Sequence, residues 1–293
     1  MILAINIENT NTVVGCFEGE NIVFVESIST SLTRTGLEYA ISFKNIFELH
    51  GLNMNQIEGT IIASVVPPVT NVVKEAAKRI SENEVLIIGP GVKTGLNIMM
   101  DQPGQVGSDL VANAVAGIAE YPLPLIVVNM GTATTLSVID AKKHYIGGMI
   151  IPGVRISSES LTQGTAQLPK ISLERPKKVI GSNTVECMKS GIIYGTAACI
   201  DGSIASIERE LKEKAAAIVA TGEAAKYIVP HCGRNMFLDE NLLLKGLKHT
   251  KSATSCGVPK RPAGISSSKA DFSSALSWAF MLVSIAPHAI AFT

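Results

Sequence analysis

The chain has 293 residues and a formal net charge of zero, with 25 Lys and Arg against 25 Asp and Glu. Hydrophobic residues make up 46% of the chain, which excludes a disordered protein, and the neutral balance argues against general affinity for nucleic acid. The five cysteines form no Cys-x-x-Cys pair and the N-terminus shows no secretory signal, so we expect a cytoplasmic α/β protein with reduced thiols.

Strand-like and helix-like stretches alternate from the N-terminus. The turn-forming segment at 8–11 separates two runs rich in β-branched residues, which predicts an antiparallel meander at the start. Downstream, apolar residues recur at helical spacing, and short apolar runs between turn signals are typical of buried strands. The predicted strands are Ile2–Ile7, Thr12–Phe17, Ile22–Ser27, Thr60–Val66, Val85–Ile88 and Leu125–Val128, and the predicted helices are Gly36–His50, Val69–Ile80 and Asp109–Ala119.

An internal repeat organises the chain. Residues 5–18 align with residues 128–141, and each segment consists of an apolar strand with an Asn, a turn containing Thr, and a second apolar strand. Two similar hairpins at the starts of two similar lengths of chain predict a duplicated α/β architecture. We place its halves at 1–120 and 121–250.

The two aligned hairpins have the composition of a phosphate-binding turn. Asn6 corresponds to Asn129 in the alignment, and Thr12 corresponds to Thr135. Backbone N–H groups at such a turn, together with hydroxyl groups, are donors to an oxyanion, and two facing copies could hold the phosphates of a nucleotide. A plain hairpin with polar turn residues is the alternative.

The end of the chain has a different composition. Residues 251–271 are rich in Ser, Gly, Pro and Lys and show no periodicity, which predicts a linker. Residues 272–293 contain no charged side chain and approach the ~20 residues that span a bilayer. Because this segment also contains four Ser, a Pro and a His, a packed or interfacial segment is favoured over contact with a membrane.

Several long strings make the chain similar to the type III pantothenate kinases of the actin-like kinase superfamily. They include NIENTNTVVG, GQVGSDLVANAVAG, VVNMGTATTLSVID and VIGSNTVECMKSGIIYG, and the similarity runs from Met1 to about Leu247. The resemblance implies an α/β fold, the duplicated actin-like (ribonuclease H-like) fold, in which two mixed-sheet halves enclose a cleft. It also implies ATP-dependent phosphorylation of pantothenate, the first step of coenzyme A biosynthesis, with Mg²⁺ and a monovalent cation (K⁺ or NH₄⁺). A homodimer with the substrate site near the subunit interface is a further implication.

The first phosphate motif departs from the pattern of the family. Relatives have Asp-x-Gly-Asn-Thr-Asn, whereas Asn6 and Glu8 stand here in place of the Asp and the Gly. Asn6 is a weak candidate ligand for Mg²⁺, because its amide oxygen brings no charge. We expect Glu8 to strain a backbone position where Gly supplies a positive φ, and to repel phosphate by about 4 kcal/mol unless it points to solvent. By the resemblance, the nucleotide-binding positions are Asn6, Ile7, Glu8, Asn9, Thr10, Asn11, Thr12, Val13 and Thr132.

The resemblance makes Asp109 the general base, whose carboxylate takes the proton of the pantothenate hydroxyl. Considered without the family, Asp109 is a candidate N-cap of the predicted helix. Leu110 stands where relatives have an Arg, and Met100 stands where they have a Tyr. The implied substrate-binding residues are Met100, Gly107, Ser108, Asp109, Leu110 and Thr184, and Thr184 is a second candidate N-cap.

Two departures lie in the second half. Asn129 replaces the Asp that holds the monovalent cation in relatives, and Glu223 replaces a Gly near the adenosine. His231, His249 and His288 lack the spacing of a metal site or a triad. Two hypotheses follow: an active pantothenate kinase, and a catalytically impaired relative that binds a ligand or a partner in a regulatory role.

Overall fold

The computed structural model describes residues 1–89, 92 and 94–255. Its strands are β1 (Ile2–Ile7), β2 (Asn11–Glu18), β3 (Asn21–Ser29), β4 (Gly59–Ser64), β5 (Val85–Ile87), β6 (Asn97–Ile98), β7 (Leu125–Met130), β8 (Ala133–Ile139), β9 (His144–Pro152), β10 (Ala217–Thr221) and β11 (Phe237–Leu238). Its helices are α1 (Gly36–Leu49), α2 (Pro67–Ile80), α3 (Ser108–Glu120), α4 (Val154–Gly164), α5 (Thr184–Leu211), α6 (Ala225–Ile228) and α7 (Leu242–Ser255).

The strands form two mixed sheets that share one internal order. In the first sheet the order is β3-β2-β1-β4-β5, with β1 to β3 antiparallel and with β4 parallel to both β1 and β5. The second sheet repeats this order as β9-β8-β7-β10-β11 and adds β6 beside β9. This arrangement confirms the predicted α/β fold, a duplicated actin-like (ribonuclease H-like) fold with two mixed sheets. Because β6 joins the second sheet from the first part of the chain, the boundary between 120 and 121 stays a prediction.

Strand alternation sends the two faces of β1 into different layers of the fold. Leu3, Ile5 and Ile7 pack with α1 and α2 in one hydrophobic cluster. Ala4 packs on the opposite face, in a cluster that contains residues of α3 and α7. Asn6 lies two residues after Ala4, and it therefore shares the face of β1 that is turned towards α3 and α7.

The second sheet divides in the same way. Ile126 and Val128 of β7 pack with α5, whereas Leu125 and Val127 pack with α3. Asn129 lies two residues after Val127 and therefore shares the face that is turned towards α3. Helices α3 and α7 thus form a middle layer between the two sheets, and the aligned asparagines of both sheets face this layer.

A close crossing holds the middle layer together. A Cβ atom on Gly246 of α7 would lie 1.8 Å from the carbonyl oxygen of Ala112 in α3, so the crossing requires glycine. Lys245 adds ion pairs to Glu120, at 2.8 Å, and to Asp239, at 2.7 Å. These contacts fix α7 against α3 beside the two asparagines.

Every strand and helix predicted from the sequence is present, with ends shifted by at most two residues. Two of the two-residue shifts occur around the Pro pair. Strand β4 ends at Ser64 because Val66 is the N-cap of α2, and Pro67 and Pro68 occupy the first turn of that helix. Proline suits a first helical turn because its fixed φ is helical and its missing N–H has no partner there.

The predicted linker is wrong at its start. Helix α7 continues through Lys251 to Ser255, and the Lys251 side chain fills the space into which a Cβ on Gly59 would project. Lys251 also pairs with Glu84 at 3.2 Å, so a buried stem and an ion pair hold this turn on the first sheet. The rest of the predicted linker and the segment 272–293 lie outside the described residues. Within the described part of the chain, no helix combines the length and the apolar character that a membrane crossing requires.

Candidate active site

A cavity of about 590 Å³ opens between the two hairpins and the middle layer, and we call it the hairpin cavity. The first hairpin consists of β1 and β2, and the second consists of β7 and β8. Each hairpin contributes polar side chains, and so do α3 and the turn after β10. The lining includes Asn6, Glu8, Asn113, Asn129, Gly222, Glu223 and Glu240. Polar residues that lie far apart in the sequence are thereby brought together.

Glu8 faces the hairpin cavity rather than bulk solvent. Its carboxylate accepts a hydrogen bond from Asn6 Nδ2, with 2.8 Å between Nδ2 and Oε1. Burial raises the pKa of Glu8, the nearby charges of Asp109 and Glu223 raise it further, and the Asn6 hydrogen bond opposes the rise. The expected backbone strain is wrong, since Glu8 is not among the described residues with positive φ.

The alternation of the first hairpin decides which of its predicted residues reach the cavity. Asn11 and Val13 line it, on the same face as Asn6. Ile7 lies on the opposite face, in the hydrophobic cluster with α1 and α2. The hydroxyl of Thr12 shares a 2.9 Å hydrogen bond with the hydroxyl of Thr30. The side chains of Ile7 and Thr12 are therefore turned away from the cavity. The remaining predicted positions, Asn9 and Thr10, are exposed at the turn.

The second hairpin has a tighter turn than the first. Asn6 pairs with Val13 across six residues, whereas Asn129 pairs with Thr135 across five. Thr135 is therefore the counterpart of Val13, and the alignment of Thr135 with Thr12 is wrong by one residue. The shorter turn leaves Thr132 exposed at its tip, where Gly131 N–H donates to the carbonyl of Ala133.

Asn129 lies against the turn that follows β10. Gly222 has a φ of +93°, and a Cβ there would lie 2.7 Å from Asn129 Oδ1 and 2.7 Å from the carbonyl carbon of Met130. Positive φ and this close approach both require glycine at position 222. The glycine therefore allows the turn to support the side chain of Asn129 from beside the cavity.

An ion pair lies at the side of the cavity next to Gly222. Glu223 lines the cavity, and its carboxylate pairs with Arg155 of α4, with 3.0 Å between Oε1 and Nη2. Both side chains are about half exposed, at 47% and 48%, so solvent screens this pair. Position 223, where the family resemblance implies a bare Gly, thus carries a charge that is paired within the chain.

Asp109 is the second residue of α3, and Gly107 is the N-cap, so the N-cap interpretation of Asp109 is wrong by two positions. The carboxylate accepts hydrogen bonds from its own backbone N–H and from that of Leu110, which lower its pKa, but burial is the larger effect and raises the pKa. Asp109 also raises the pKa values of Glu8 and Tyr145 through its charge. The predicted base is thus close enough to act electrostatically on the first hairpin.

A second cavity, of about 580 Å³, lies beside the start of α3, and we call it the α3 cavity. Gly107 and Ser108 line it, and the Ser108 hydroxyl is fixed by hydrogen bonds with the backbone of Ser64 at 3.0 and 3.1 Å. Leu110, the next residue but one, is partly buried and lines neither cavity.

The two remaining predicted substrate residues are exposed. Met100 follows β6 and is 40% exposed. Thr184 is the first residue of α5, and the N-cap is Asn183, whose side chain accepts from the Glu186 N–H at 3.0 Å. The N-cap interpretation of Thr184 is therefore wrong by one residue. Neither Met100 nor Thr184 lines the hairpin cavity or the α3 cavity.

Asn113 is a cavity residue that sequence reasoning missed. It lies on α3 one turn after Asp109, it is 1% exposed, and neither its amide nitrogen nor its amide oxygen has a hydrogen-bond partner. It lines the hairpin cavity together with Asn6 and Asn129. The available signal was a lone amide among small and apolar residues, four positions after a predicted catalytic carboxylate.

Two of the three histidines considered in the sequence analysis have ordinary surroundings. His231 packs edge-on against the ring of Tyr194, and His249 lies 3.5 Å from a carboxylate oxygen of Glu120. His288 lies outside the described residues. Among the residues that the structure describes, there is no group of three or more His, Cys, Asp and Glu side chains arranged to hold a metal ion.

Comparison with known proteins identifies close relatives. A family model described as type III pantothenate kinase matches residues 2–206, which include both hairpins and α3. A type III pantothenate kinase from Exiguobacterium sp. is 44% identical over 248 residues, covering 85% of this chain and 97% of the relative. Those from Halalkalibacterium halodurans and Geobacter sulfurreducens are 42% and 40% identical, with the same coverage.

Two solved structures share the fold at low sequence identity. A Baf family transcriptional activator from Campylobacter jejuni has a TM-score of 0.53 and 15% identity, covering 87% of this chain and 99% of the other. Component A of (R)-2-hydroxyglutaryl-CoA dehydratase from Acidaminococcus fermentans has a TM-score of 0.52 and 12% identity, with coverages of 86% and 98%. These likenesses concern the fold alone.

Proposed function

The chain belongs to the type III pantothenate kinase family, and from this premise we propose that it transfers the γ-phosphoryl group of ATP to pantothenate. The products are ADP and 4'-phosphopantothenate, and the reaction is the first step of coenzyme A biosynthesis. The observation that carries the proposal is the hairpin cavity, in which both phosphate motifs converge on a helix that bears the predicted base.

Asp109 is the general base of the proposed reaction. Its carboxylate takes the proton from the pantothenate hydroxyl as the oxygen bonds to the γ-phosphorus and the bond from phosphorus to the ADP oxygen breaks. Two N–H groups at the start of α3 orient the carboxylate, and burial raises its pKa, which makes it a better proton acceptor than a solvated carboxylate. Its charge already acts on Glu8, a residue of the proposed nucleotide site.

The first hairpin and the tip of the second are the proposed nucleotide site. Asn6, Glu8, Asn11 and Val13 offer side chains to ATP, while the other positions of the first turn offer backbone N–H groups. Thr132 is exposed at the second tip and free to bind a phosphate oxygen through its hydroxyl.

Membership of this kinase family implies a divalent metal with ATP. A divalent cation offsets the charge that develops on the phosphate oxygens during transfer. The residues present fit such an ion, because Mg²⁺ takes one or two carboxylates together with substrate phosphates and waters. The cavity offers the carboxylate of Glu8 and the amide oxygens of Asn6 and Asn113. The amide of Asn113 is buried without a partner, which leaves its oxygen available to a bound group.

The α3 cavity is the proposed pantothenate site. Gly107 and Ser108 line it directly beside Asp109, and Leu110 follows in the same turn of α3. Without an Arg at position 110, we expect substrate to be held by backbone and hydroxyl groups rather than by a bidentate cation. Met100 also belongs to the proposed substrate set, since it lies two residues after Ile98, which lines the α3 cavity.

A homodimer would bring Thr184 into that substrate site. Thr184 is exposed at the start of α5, and the preceding Val179 and Ile180 are 60% and 81% exposed. A second copy that covers these apolar side chains would place Thr184 beside a site shared by the two subunits.

The monovalent cation is proposed at Asn129, whose oxygen lies beside the cavity as a neutral ligand. The cytoplasm is the proposed location, in keeping with the free thiols of the four described cysteines.

The impaired relative is the second candidate function. Three carboxylates line the cavity proposed for the phosphates, those of Glu8, Glu223 and Glu240, and the family resemblance implies Gly at the first two of these positions. In that case the chain binds pantothenate or a partner subunit without turnover. Steady-state measurement of ADP release, with and without pantothenate, separates the two. ADP release that requires pantothenate supports the kinase, whereas pantothenate binding by calorimetry without turnover supports the impaired relative.

A further inference from the structure

The carboxylate of Glu8 is held in one orientation within the hairpin cavity. Asn6, which is 3% exposed, donates its amide N–H to Glu8 Oε1 at 2.8 Å. Asn6 lies near the end of β1 and Glu8 directly follows that strand, and both residues line the hairpin cavity. Because its amide N–H is committed to Glu8, Asn6 positions a carboxylate that stands two residues further along the chain.

Two of the other carboxylates near this cavity are already engaged, and a third, Glu240, lines it together with Glu8. Asp109 accepts two N–H groups of α3, and Glu223 pairs with Arg155. Within the described residues, the hydrogen bond from Asn6 is the one side-chain contact of the Glu8 carboxylate. The Glu8 carboxylate thus lines the cavity with one hydrogen bond from a side chain, and the nearby charges of Asp109 and Glu223 raise its pKa.

An independent feature of the same cavity points to a bound group. The amide of Asn113 is buried from solvent, yet neither of its polar atoms has a partner. A buried amide without a partner costs about 1–3 kcal/mol, so native proteins rarely keep one unless a ligand or water completes it. Asn113 and Glu8 line one cavity, and the orphaned amide oxygen is a suitable ligand for a hard cation.

We propose that Glu8 is a ligand of the divalent cation that accompanies the nucleotide, with Asn6 as its positioning residue and Asn113 as a further oxygen donor. The proposal rests on the proposed function, because it requires the nucleotide in the hairpin cavity. It assigns to position 8 the charge that this chain lacks at position 6. A cation at Glu8 also offsets the repulsion between this carboxylate and the phosphates.

The opposite view, that Glu8 only repels phosphate, predicts changes of opposite sign. If Glu8 is a ligand, Glu8→Gln removes a charged oxygen and weakens the metal–nucleotide complex. If Glu8 only repels, the same substitution strengthens it. Loss of a partner that merely orients a metal ligand lowers metal affinity ~10–100-fold, so loss of the ligand should cost at least about tenfold.

The test measures Mn²⁺ binding to the full chain in the presence and absence of ADP, from the electron paramagnetic resonance signal of free Mn²⁺. We expect wild type to bind Mn²⁺ more tightly with ADP than without it. Glu8→Gln should bind it at least about tenfold more weakly with ADP, and Asn113→Leu should show a smaller loss. Glu18→Gln removes an exposed carboxylate at the far end of β2, and this control should bind Mn²⁺ as wild type does.

A charge transfer between positions 6 and 8 sharpens the test. Glu8→Gly alone should lose the Mn²⁺ response, and the double variant Asn6→Asp with Glu8→Gly should regain it. Binding of ADP in the presence of EDTA shows that each variant retains a folded site. Equal or tighter Mn²⁺ binding by Glu8→Gln would overturn this proposal and leave the kinase function standing. Failure of wild type to bind ADP, with or without Mn²⁺, would overturn both.

Discussion

The two hairpins present the same asparagine to one cavity, but they surround it with different chemistry. In the first hairpin, Asn6 donates to Glu8, and the charge of Asp109 acts on that pair. In the second hairpin, Asn129 lies against Gly222 and has no acid beside it on its own turn. The first hairpin therefore has a carboxylate hydrogen-bonded to its asparagine, whereas the acids that line the cavity from the second half, Glu223 and Glu240, lie outside the turn between β7 and β8.

This difference shows that duplication preserved the backbone more strictly than the chemistry. Both sheets keep one strand order, and both asparagines face α3 and α7. The turns differ by one residue, and one of the two acids that line the cavity from the second half, Glu223, is paired with Arg155. We infer that the first hairpin handles the charged part of the reaction, and that the second supports a neutral contact.

Asp109→Asn should have the largest effect on the comparison, because it removes the predicted base beside the first hairpin. We expect the turnover rate to fall ~10²–10⁴-fold, while pantothenate affinity measured by calorimetry changes far less. Since burial disfavours the charged form of Asp109, the variant should melt no lower than wild type. An active enzyme that tolerates the substitution would remove Asp109 from the mechanism.

Gly222→Ala tests the support of the second hairpin. The substitution forces a side chain into positive φ, which costs ~1–2 kcal/mol, and pushes a Cβ into the Asn129 side chain and the Met130 backbone. We expect the free energy of unfolding to fall by about 2 kcal/mol or more. Gly19→Ala is the matched control, because Gly19 also has positive φ but nothing within 4 Å of a Cβ. An equal loss in both variants would mean that contact with Asn129 adds nothing.

Two truncations test whether the end of α7 belongs to the first sheet. A chain that ends at Ser255 keeps the Lys251 stem beside Gly59 and its ion pair with Glu84. A chain that ends at Thr250 loses both, so its free energy of unfolding in urea should be lower by ~1–3 kcal/mol. The two chains differ by one helical turn, which makes each the control for the other. Identical unfolding curves would mean that Lys251 does not stabilise the first sheet, as expected for a linker residue.

The hairpins themselves were predictable because their signals are local. Runs of β-branched residues predicted β1 and β2, and the period of two places Asn6 on the inner face once Ile5 and Ile7 are assigned to the core. The position of the helix starts was less certain, since Asn183 and Thr184 are both good N-caps and adjacent. Errors of one residue arise at such positions because two adjacent residues are almost equally favourable as the N-cap.

The charges and orphaned groups of the site were not predictable because they depend on distant packing. The hydrogen bond between Asn6 and Glu8 depends on how the turn closes, and residue spacing alone does not distinguish a Glu8 that faces the cavity from one that faces solvent. The unpartnered amide of Asn113 arises only when α3 is enclosed between the two sheets. Likewise, the pairing of Glu223 with Arg155 joins residues that are 68 positions apart.

Asn129→Asp has the smallest expected effect. It tests whether the neutral side chain at position 129 is what keeps the second hairpin from responding to a monovalent cation. An aspartate here adds a charged oxygen beside the cavity, so the variant should gain a response to K⁺ or NH₄⁺. We expect ADP affinity in the presence of Mg²⁺ to rise about fivefold when K⁺ replaces tetramethylammonium at equal ionic strength, the lower end of typical coupling between sites. Wild type should respond less.

Asn11→Asp makes the same chemical change on the first hairpin in the same cavity, and it should gain no such response. If it responds equally, added charge anywhere in the cavity suffices and the two hairpins do not differ as cation sites. A response confined to position 129 would mean that the backbone of the second hairpin still forms the cation site, and that one side chain separates it from a charged one.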